Sequence, residues 1–295
     1  MMHKSGYVNI VGYPNVGKST LMNALMGDRL SIITSKPQTT RHRILGILNE
    51  ENYQIIFSDT PGVIDDPSYS MQEAMNRMAF SVFEDADILI LLTDPYDKYS
   101  GEERIFHYLK KRDFPVFLVI NKMDLVSEER MESVLEHWNN IFKADKVFTI
   151  SAQDKMGLED LIKAITDHLP EGPAYYPKDQ LSDRNYRFFV SEIIREKILQ
   201  QFKQEVPYSC EVVVDEYDEN EEKITRIHAS IYVDRKSQKS ILIGKGGSAI
   251  KKLGIASRES IEAFIDNKVF LELQVKVKDN WRDDDRMLKH FGYKH

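Results

Sequence analysis

Apolar positions along the first 174 residues fall into short runs separated by amphipathic stretches. "YVNIVGY", "RILGILN", "YQIIFSDT", "DILILLTD", "PVFLVIN" and "VFTISA" have the length and composition of strands. Between most of them apolar residues recur at helical spacing, as in "EERIFHYLKKR" and "GLEDLIKAITDHL". "RILGILN" and "YQIIFSDT" stand too close for a helix and predict a hairpin through Asn49–Asn52. Runs such as "DILILLTD" are apolar on both faces, as central strands covered by helices on either side must be. The pattern predicts a mostly parallel sheet of the doubly wound α/β class.

That alternation stops at "LPEGPAYYPKDQ", where three prolines and a glycine within Leu169–Gln180 break helix and strand alike. Downstream, an amphipathic helix is predicted over Asn185–Gln204. Two strands follow, "CEVVVDEYD" and "KITRIHASIYVD", joined by an acidic turn at Glu219–Glu222. "RKSQKSILIGKGGSAIKKLGIASRESIEAFI" predicts a short helix, a glycine loop and a longer helix. "VFLELQVKVK" alternates at period two and predicts a last strand. The order is helix, strand, strand, helix, helix, strand. The expected division is a first domain over 1–170, a linker over 171–184, a second, α+β domain over 185–280 and a polar tail over 281–295.

The 295 residues are 42% apolar and 29% charged, which suits a soluble globular protein of about two domains. A single cysteine, Cys210, excludes an intrachain disulfide and a cysteine-based zinc site, fits a reducing cytoplasm, and is expected to be buried at a strand start. No apolar run approaches the ~20 residues that span a bilayer, so no transmembrane segment is expected. "MMHKSGYVNI" enters a strand pattern with no signal peptide ahead of it. The net charge of −7 hides an asymmetry. Residues 1–174 carry 18 basic against 26 acidic side chains, and residues 175–295 carry 22 against 21. Within the second part, Arg235 to Lys252 holds six basic residues and no acidic one. Such a patch matters more for an anionic partner than the total does.

"GYPNVGKST" opens the chemistry. Gly12-Tyr13-Pro14-Asn15-Val16-Gly17-Lys18-Ser19-Thr20 contains the spacing G-x-x-x-x-G-K-[ST] between a predicted strand and a predicted helix. The glycines let successive N–H groups face phosphate oxygens, and the helix N-terminus adds partial positive charge. Lys18 would supply a mobile charge and Ser19 a hydroxyl for Mg²⁺. "DTPG", Asp59-Thr60-Pro61-Gly62, ends a strand; Asp59 would hold the metal and the Gly62 N–H would sense the γ-phosphate. In "NKMD", with Asn121, Lys122 and Asp124, the Asp124 carboxylate can accept from the two N–H donors that guanine has and adenine lacks. A site built on such bonds rejects the wrong base strongly. "SAQ", Ser151-Ala152-Gln153, would meet the guanine oxygen with backbone N–H groups. Together these elements predict a GTP and GDP site that hydrolyses GTP, with Lys18, Asn15, Thr40 and Gly62 as the expected catalytic set. A switch threonine should also ligate Mg²⁺. "PQTTRHRI" offers Thr39 and Thr40, with Thr40 favoured and the spacing unable to separate them.

Val63 follows "DTPG", where Ras-like GTPases place a glutamine that orients the attacking water, so intrinsic hydrolysis is expected to be slow. Asn15 either caps its turn or helps bind K⁺, which would then supply the charge of an arginine finger. Some GTPases with a hydrophobic residue after "DTPG" use an asparagine at this position in that way.

The second glycine loop does not repeat the first. Gly244-Lys245-Gly246-Gly247 lacks the G-K-[ST] ending and lies between helices. It matches G-x-x-G, the loop with which a KH domain clamps single-stranded RNA backbone. Arg235, Lys236, Lys239, Lys245, Lys251 and Lys252 would meet phosphates, and Ile243, with Ile241, Ile250 and Leu253, would line a groove for bases. In the tail, Trp281 is expected to pack on the sheet. Phe291 and Tyr293, beside Arg282, Arg286, Lys289 and Lys294, are open to packing or to base stacking.

A P-loop GTPase domain followed by a type II KH domain resembles the Era family of bacterial GTPases. The resemblance covers essentially the whole chain and rests on "GYPNVGKS", "QTTRHRI", "DTPG", "NKMD", the linker position and "LIGKGGSAIK". It implies binding to 16S rRNA near its 3′ end, a part in maturation of the 30S ribosomal subunit, and a cytoplasmic protein with peripheral association at the inner membrane. The rival expectations are a GTPase whose KH-like module docks protein or membrane, and a GTP-dependent metabolic enzyme. The sequence lacks a lipidation motif, a basic amphipathic helix and a second-substrate site.

Overall fold

The structure, a computed structural model, describes residues 2–28, 30–34, 36–97, 99–219 and 224–293. It divides into two compact units. The first comprises residues 1–31, 40–67 and 75–183, and the second residues 32–39, 68–74 and 184–295.

In chain order the elements are β1 (Lys4–Val11), α1 (Lys18–Met26), β2 (Ile44–Asn49), β3 (Tyr53–Asp59), α2 (Ser70–Ser81), β4 (Ile88–Thr93), α3 (Arg104–Leu109), β5 (Val116–Ile120), α4 (Glu128–Ile141), β6 (Lys146–Thr149) and α5 (Leu158–His168). The strands form one sheet in the order β2-β3-β1-β4-β5-β6, parallel except for the β2–β3 hairpin. β4 and β5 are buried along their whole length. Alternate side chains face opposite layers. Leu89, Leu91, Val116, Leu118 and Ile120 join Phe80, Phe106 and Trp138 of the helices on one face. Phe117 points the other way, edge-on to His168 of α5. Each fully buried Leu or Ile contributes roughly 1.5–3 kcal/mol, which is why both faces must be apolar. Where the prolines predict a linker, the chain is hydrogen-bonded to strands: Ser5 N–H donates to Pro170 O at 3.1 Å and Ile47 N–H to Leu181 O at 2.9 Å.

The second unit follows the predicted order: α6 (Tyr186–Gln201), β7 (Glu211–Asp218), β8 (Thr225–Val233), α7 (Lys236–Ile243), α8 (Ser248–Ile265), β9 (Val269–Val277) and α9 (Asp285–His290). Asn185 caps α6, its side chain accepting from the Phe188 N–H. The sheet order is β7-β8-β9, with β7–β8 antiparallel and β8–β9 parallel. Ile194 and Ile198 of α6, Leu242 of α7 and Leu253 and Ile261 of α8 pack on the inward residues Val212, Ile227, Ile231 and Val275. Cys210 is buried one residue before β7, as expected. The acidic turn lies outside the described residues from Asn220 on, as does Lys294.

Residues 32–39 and 68–74 belong to this second unit through named bonds. Lys36 Nζ donates to the carbonyls of Leu199 and Phe202 at the end of α6. Arg195, buried and paired with Glu192, donates to Thr39 O. The Arg282 guanidinium lies 4.5 Å over the Tyr69 ring, and Ser70 N–H donates to Asp283.

Candidate nucleotide and nucleic-acid sites

The first glycine loop links β1 to α1. Gly17 is the N-cap of α1 at φ 102, a left-handed conformation, and a Cβ there would run into the Asn121 carboxamide. Only glycine lets the loop close this tightly. Lys18 is buried and folds back over the loop, donating to Gly12 O at 2.9 Å and Tyr13 O at 2.7 Å. Burial lowers its pKa to about 8, against the opposing pull of Asp59 and Asp97.

Three oxygen-bearing side chains converge beside it. Ser19 Oγ donates to Asp59 Oδ2 at 2.7 Å and lies 2.9 Å from Thr40 Oγ1, which itself donates to Asp59 Oδ2 at 3.3 Å. Asp59 is fully buried, and burial raises its pKa against the Ser19 hydrogen bond and the Lys18 charge. Among the described residues its Oδ1 has no partner at hydrogen-bonding geometry, although the Ser31 hydroxyl is close enough to favour the ionised carboxylate. A buried carboxylate oxygen without a partner among hydroxyls is a donor set suited to a hard cation such as Mg²⁺. Thr39 is not brought to this group. Its hydroxyl bonds Thr34 Oγ1 at 2.7 Å and Lys36 O at 2.6 Å. Between the two adjacent threonines, the structure places Thr40 with Ser19 and Asp59.

The predicted base-reading elements also meet. Asn121 Nδ2 donates to Val16 O at 2.9 Å, and its Oδ1 accepts the Ala152 N–H at 2.9 Å. One carboxamide thus fastens the phosphate loop to "SAQ". Lys122 Nζ donates to Asn15 O at 2.7 Å and forms an ion pair with Asp94 at 2.5 Å. Asp124 and Gln153 are exposed, and Ser151 is buried with its hydroxyl near Asp154. Asn15 stands exposed in the left-handed region at φ 67. Gly62 lies against Pro14, and Thr60 Oγ1 donates to Ile10 O. Val63 is buried in the cluster under α2, α3 and α4. Tyr13 stacks on Tyr99 at 4.6 Å and donates to Asp65. Asp94 belongs to no sequence motif; its one signal is its position at the carboxyl end of β4, the side on which doubly wound sheets bind ligands.

In the second unit, Gly244, Gly246 and Gly247 all have positive φ, at 72°, 59° and 80°. Among the described residues nothing lies within 4 Å of a Cβ placed at Gly246 or Gly247. Lys245 in the loop and Lys251 and Lys252 of α8 are exposed, as are Arg235 and Lys236 at the far, N-terminal end of α7, while Lys239 and Ile243 are half-buried. Leu253 corrects the expected groove: it is 0% exposed and belongs to the core. The tail aromatics are settled as packing. Trp281 is 0% exposed and donates its indole N–H to Ser209 O at 2.9 Å. Phe291 stands edge-on to Trp281, and the buried Tyr293 hydroxyl donates to Glu211 at 2.6 Å. None of the three presents a ring for base stacking.

Among the described residues no helix is long and apolar enough to cross a membrane, and no group of three or more His, Cys, Asp or Glu residues could hold a metal. Comparison with known proteins agrees with the geometry. Residues 7–122 match the family described as 50S ribosome-binding GTPase, and residues 205–282 match the KH domain. The chain is 46% identical over 294 residues to GTPase ERA-like, chloroplastic, of Oryza sativa subsp. japonica, covering 99% of this chain and 70% of that one. It is 44% identical to GTPase Era of Clostridium kluyveri, covering 99% of this chain and 100% of that one. A solved structure of Era in complex with MgGDPNP and nucleotides 1506–1542 of 16S ribosomal RNA superposes with a TM-score of 0.93 at 36% identity, over 99% of this chain and 100% of that one. An Aquifex aeolicus Era variant bound to GDP and AlF4⁻ superposes equally well, also at 36% identity. With a P-loop GTPase domain on a mostly parallel sheet and a KH domain after it, matched end to end by these relatives, the chain belongs to the Era family of GTPases.

Proposed function

We propose that this protein is a GTP-driven switch that binds 16S rRNA near its 3′ end and assists assembly of the 30S subunit. The carrying observation is a glycine loop open at Gly246 and Gly247, carrying exposed Lys245 and followed by exposed Lys251 and Lys252, in a chain that superposes along its length on an Era bound to that RNA. Residues 1–170 form the GTPase domain, 171–184 the linker, 185–280 the KH domain and 281–295 the C-terminal tail. The protein works in the cytoplasm, and any stay at the inner membrane is peripheral.

In the GTPase domain the 12–20 loop and Lys18 hold the phosphates, and Asn121, Lys122, Asp124 and residues 151–153 hold guanine. Ser19, Thr40 and Asp59 would hold Mg²⁺, which draws negative charge off the phosphate oxygens when bound. Lys18 has to leave the carbonyls of Gly12 and Tyr13 for the phosphates, and the Gly62 N–H reports the γ-phosphate. Val63 cannot orient a water, so the chain's own residues leave hydrolysis slow. We propose that exposed Asn15 contributes to a K⁺ site that quickens it; equal turnover in K⁺ and Na⁺ would remove that part of the reading.

In the KH domain Arg235, Lys236, Lys239, Lys245, Lys251 and Lys252 meet phosphates, and Ile243 lies beside the bases. GTP favours the RNA-binding state, and by linkage RNA then tightens GTP binding by the same factor. The test titrates a labelled single-stranded oligonucleotide from the 3′ end of 16S rRNA at fixed salt. Tighter binding with a non-hydrolysable GTP analogue than with GDP is the expected result. Equal binding, indifferent to RNA sequence, would overturn the switch.

A further inference from the structure

The ion pair between Asp94 and Lys122 joins a residue outside the sequence motifs to the lysine of "NKMD". Asp94 follows β4 and Lys122 lies two residues past β5. Their strand ends are locked side by side, with Thr93 opposite Ile120 and the Asn121 N–H donating to Thr93 O at 2.8 Å. Asp94 is 6% exposed. Its Oδ1 accepts the Tyr96 N–H at 2.9 Å, so the carboxylate is held before any cation arrives. Its Oδ2 receives Lys122 Nζ at 2.5 Å.

Lys122 has reasons not to be where it is. Its backbone is left-handed at φ 62, unfavourable for a side chain with a Cβ. A lysine stem also loses considerable rotamer freedom when its ammonium is pinned. Yet the ammonium reaches back to Asn15 O at 2.7 Å, tying the phosphate loop to the turn that carries Asn121 and Asp124. A neutral carbonyl alone is a weak anchor for an ammonium that water would otherwise hold. The buried carboxylate makes this position the favoured one. An exposed surface pair would carry little weight, but here one partner is buried and oriented. Asp97 also feels the Lys122 charge, but its carboxylate accepts from the Thr93 hydroxyl at 2.9 Å and it is Asp94 that forms the ion pair.

We propose that Asp94 is a positioning residue for guanine nucleotides, acting through Lys122 to fix the phosphate loop against the base-reading turn. The inference rests on the proposed GTP site. Asp94 touches no nucleotide in this scheme, so its effect is on affinity and not on the chemical step, and it applies equally to GDP and GTP.

The test measures the Kd of a fluorescent GDP, with Mg²⁺, for the full chain and for Asp94→Asn, Lys122→Met and the double variant. Asp94→Asn is expected to raise Kd about tenfold for GDP and for a GTP analogue alike, with kcat at saturating GTP within about twofold. The double variant is expected to bind no worse than Lys122→Met, because Asp94 has nothing left to hold. Asp94→Glu keeps the charge and is expected to recover most of the affinity, which separates positioning from damage to the fold. Thermal melting is followed in each variant. Wild-type affinity in Asp94→Asn beside a loss in Lys122→Met would overturn this inference alone. So would multiplying losses in the double variant, or an Asp94→Glu protein of native melting temperature no better than Asp94→Asn. Unchanged affinity in Lys122→Met would also overturn this inference, whereas failure of the wild-type chain to bind the fluorescent GDP would overturn the proposed GTP site itself.

Discussion

Replacing Gly246 with aspartate separates what the second glycine loop does for folding from what it does for RNA. Gly246 sits at φ 59, ψ 24, and among the described residues nothing lies within 4 Å of a Cβ built there. A residue with a Cβ in the left-handed region costs roughly 1–2 kcal/mol, with aspartate at the low end. No atom has to move. For a cooperative unit of about 100 residues, 1 kcal/mol shifts Tm by roughly 4–8 °C, so the variant stays folded at room temperature. The new carboxylate stands where an RNA phosphate would approach. At about 5 Å, two like charges repel by about 1–3 kcal/mol for an effective dielectric between 80 and 20, a loss of roughly 5- to 150-fold in affinity. Gly244→Asp is the contrast. There a Cβ would meet Ala249 Cβ at 2.7 Å and the Ala249 backbone nitrogen at 2.9 Å, in the first turn of α8. Overpacking of about 1–3 kcal/mol adds to the strain. The assays are fluorescence anisotropy with the 16S 3′-end oligonucleotide, thermal melting, and GTP turnover, which is expected to stay unchanged in Gly246→Asp. A folded Gly246→Asp protein with wild-type RNA affinity would refute the placement of RNA on this loop. Melting as low as that of Gly244→Asp would refute the steric argument.

Thr40→Ala is expected to slow single-turnover GTP hydrolysis by about 10- to 100-fold and to raise the Mg²⁺ needed, while Thr39→Ala stays within about threefold; a Mg²⁺ titration of both variants decides between the threonines. Trp281→Phe removes the indole N–H from Ser209 O and should destabilise by about 1–3 kcal/mol, read by urea unfolding, with RNA affinity unchanged because the ring is inside. Val63→Gln places a carboxamide in the cluster under α2, α3 and α4, so it is expected to cost about 1–3 kcal/mol of stability and to leave the turnover rate no higher than wild type.

The parts of this protein that were legible from sequence are those whose chemistry is built by neighbouring residues. A phosphate cradle needs glycine, lysine and a hydroxyl at fixed offsets between a strand and a helix, and "GYPNVGKS" shows all of them at once. β4 and β5 were legible because a strand buried on both faces has nowhere to put a polar side chain. Thr39 and Thr40 are chemically identical neighbours, and what separates them lies far along the chain: Asp59 takes the one, while Arg195 holds the carbonyl of the other. The sequence groups Leu253 with Ile241, Ile243 and Ile250 as a groove. The buried stripe of α8 instead runs Leu253, Ser257, Ile261, and that phase turns Leu253 into the core. Phe291 and Tyr293 look isolated in a polar tail because their partners, Tyr232 and Glu211, lie on the first two strands of the second unit. Asp94 meets Lys122 across two parallel strand ends, a pairing that spacing does not encode. Each of these depends on which residues a distant element brings alongside. The motif therefore names the reaction, while the fold decides which of several equivalent side chains takes part in it.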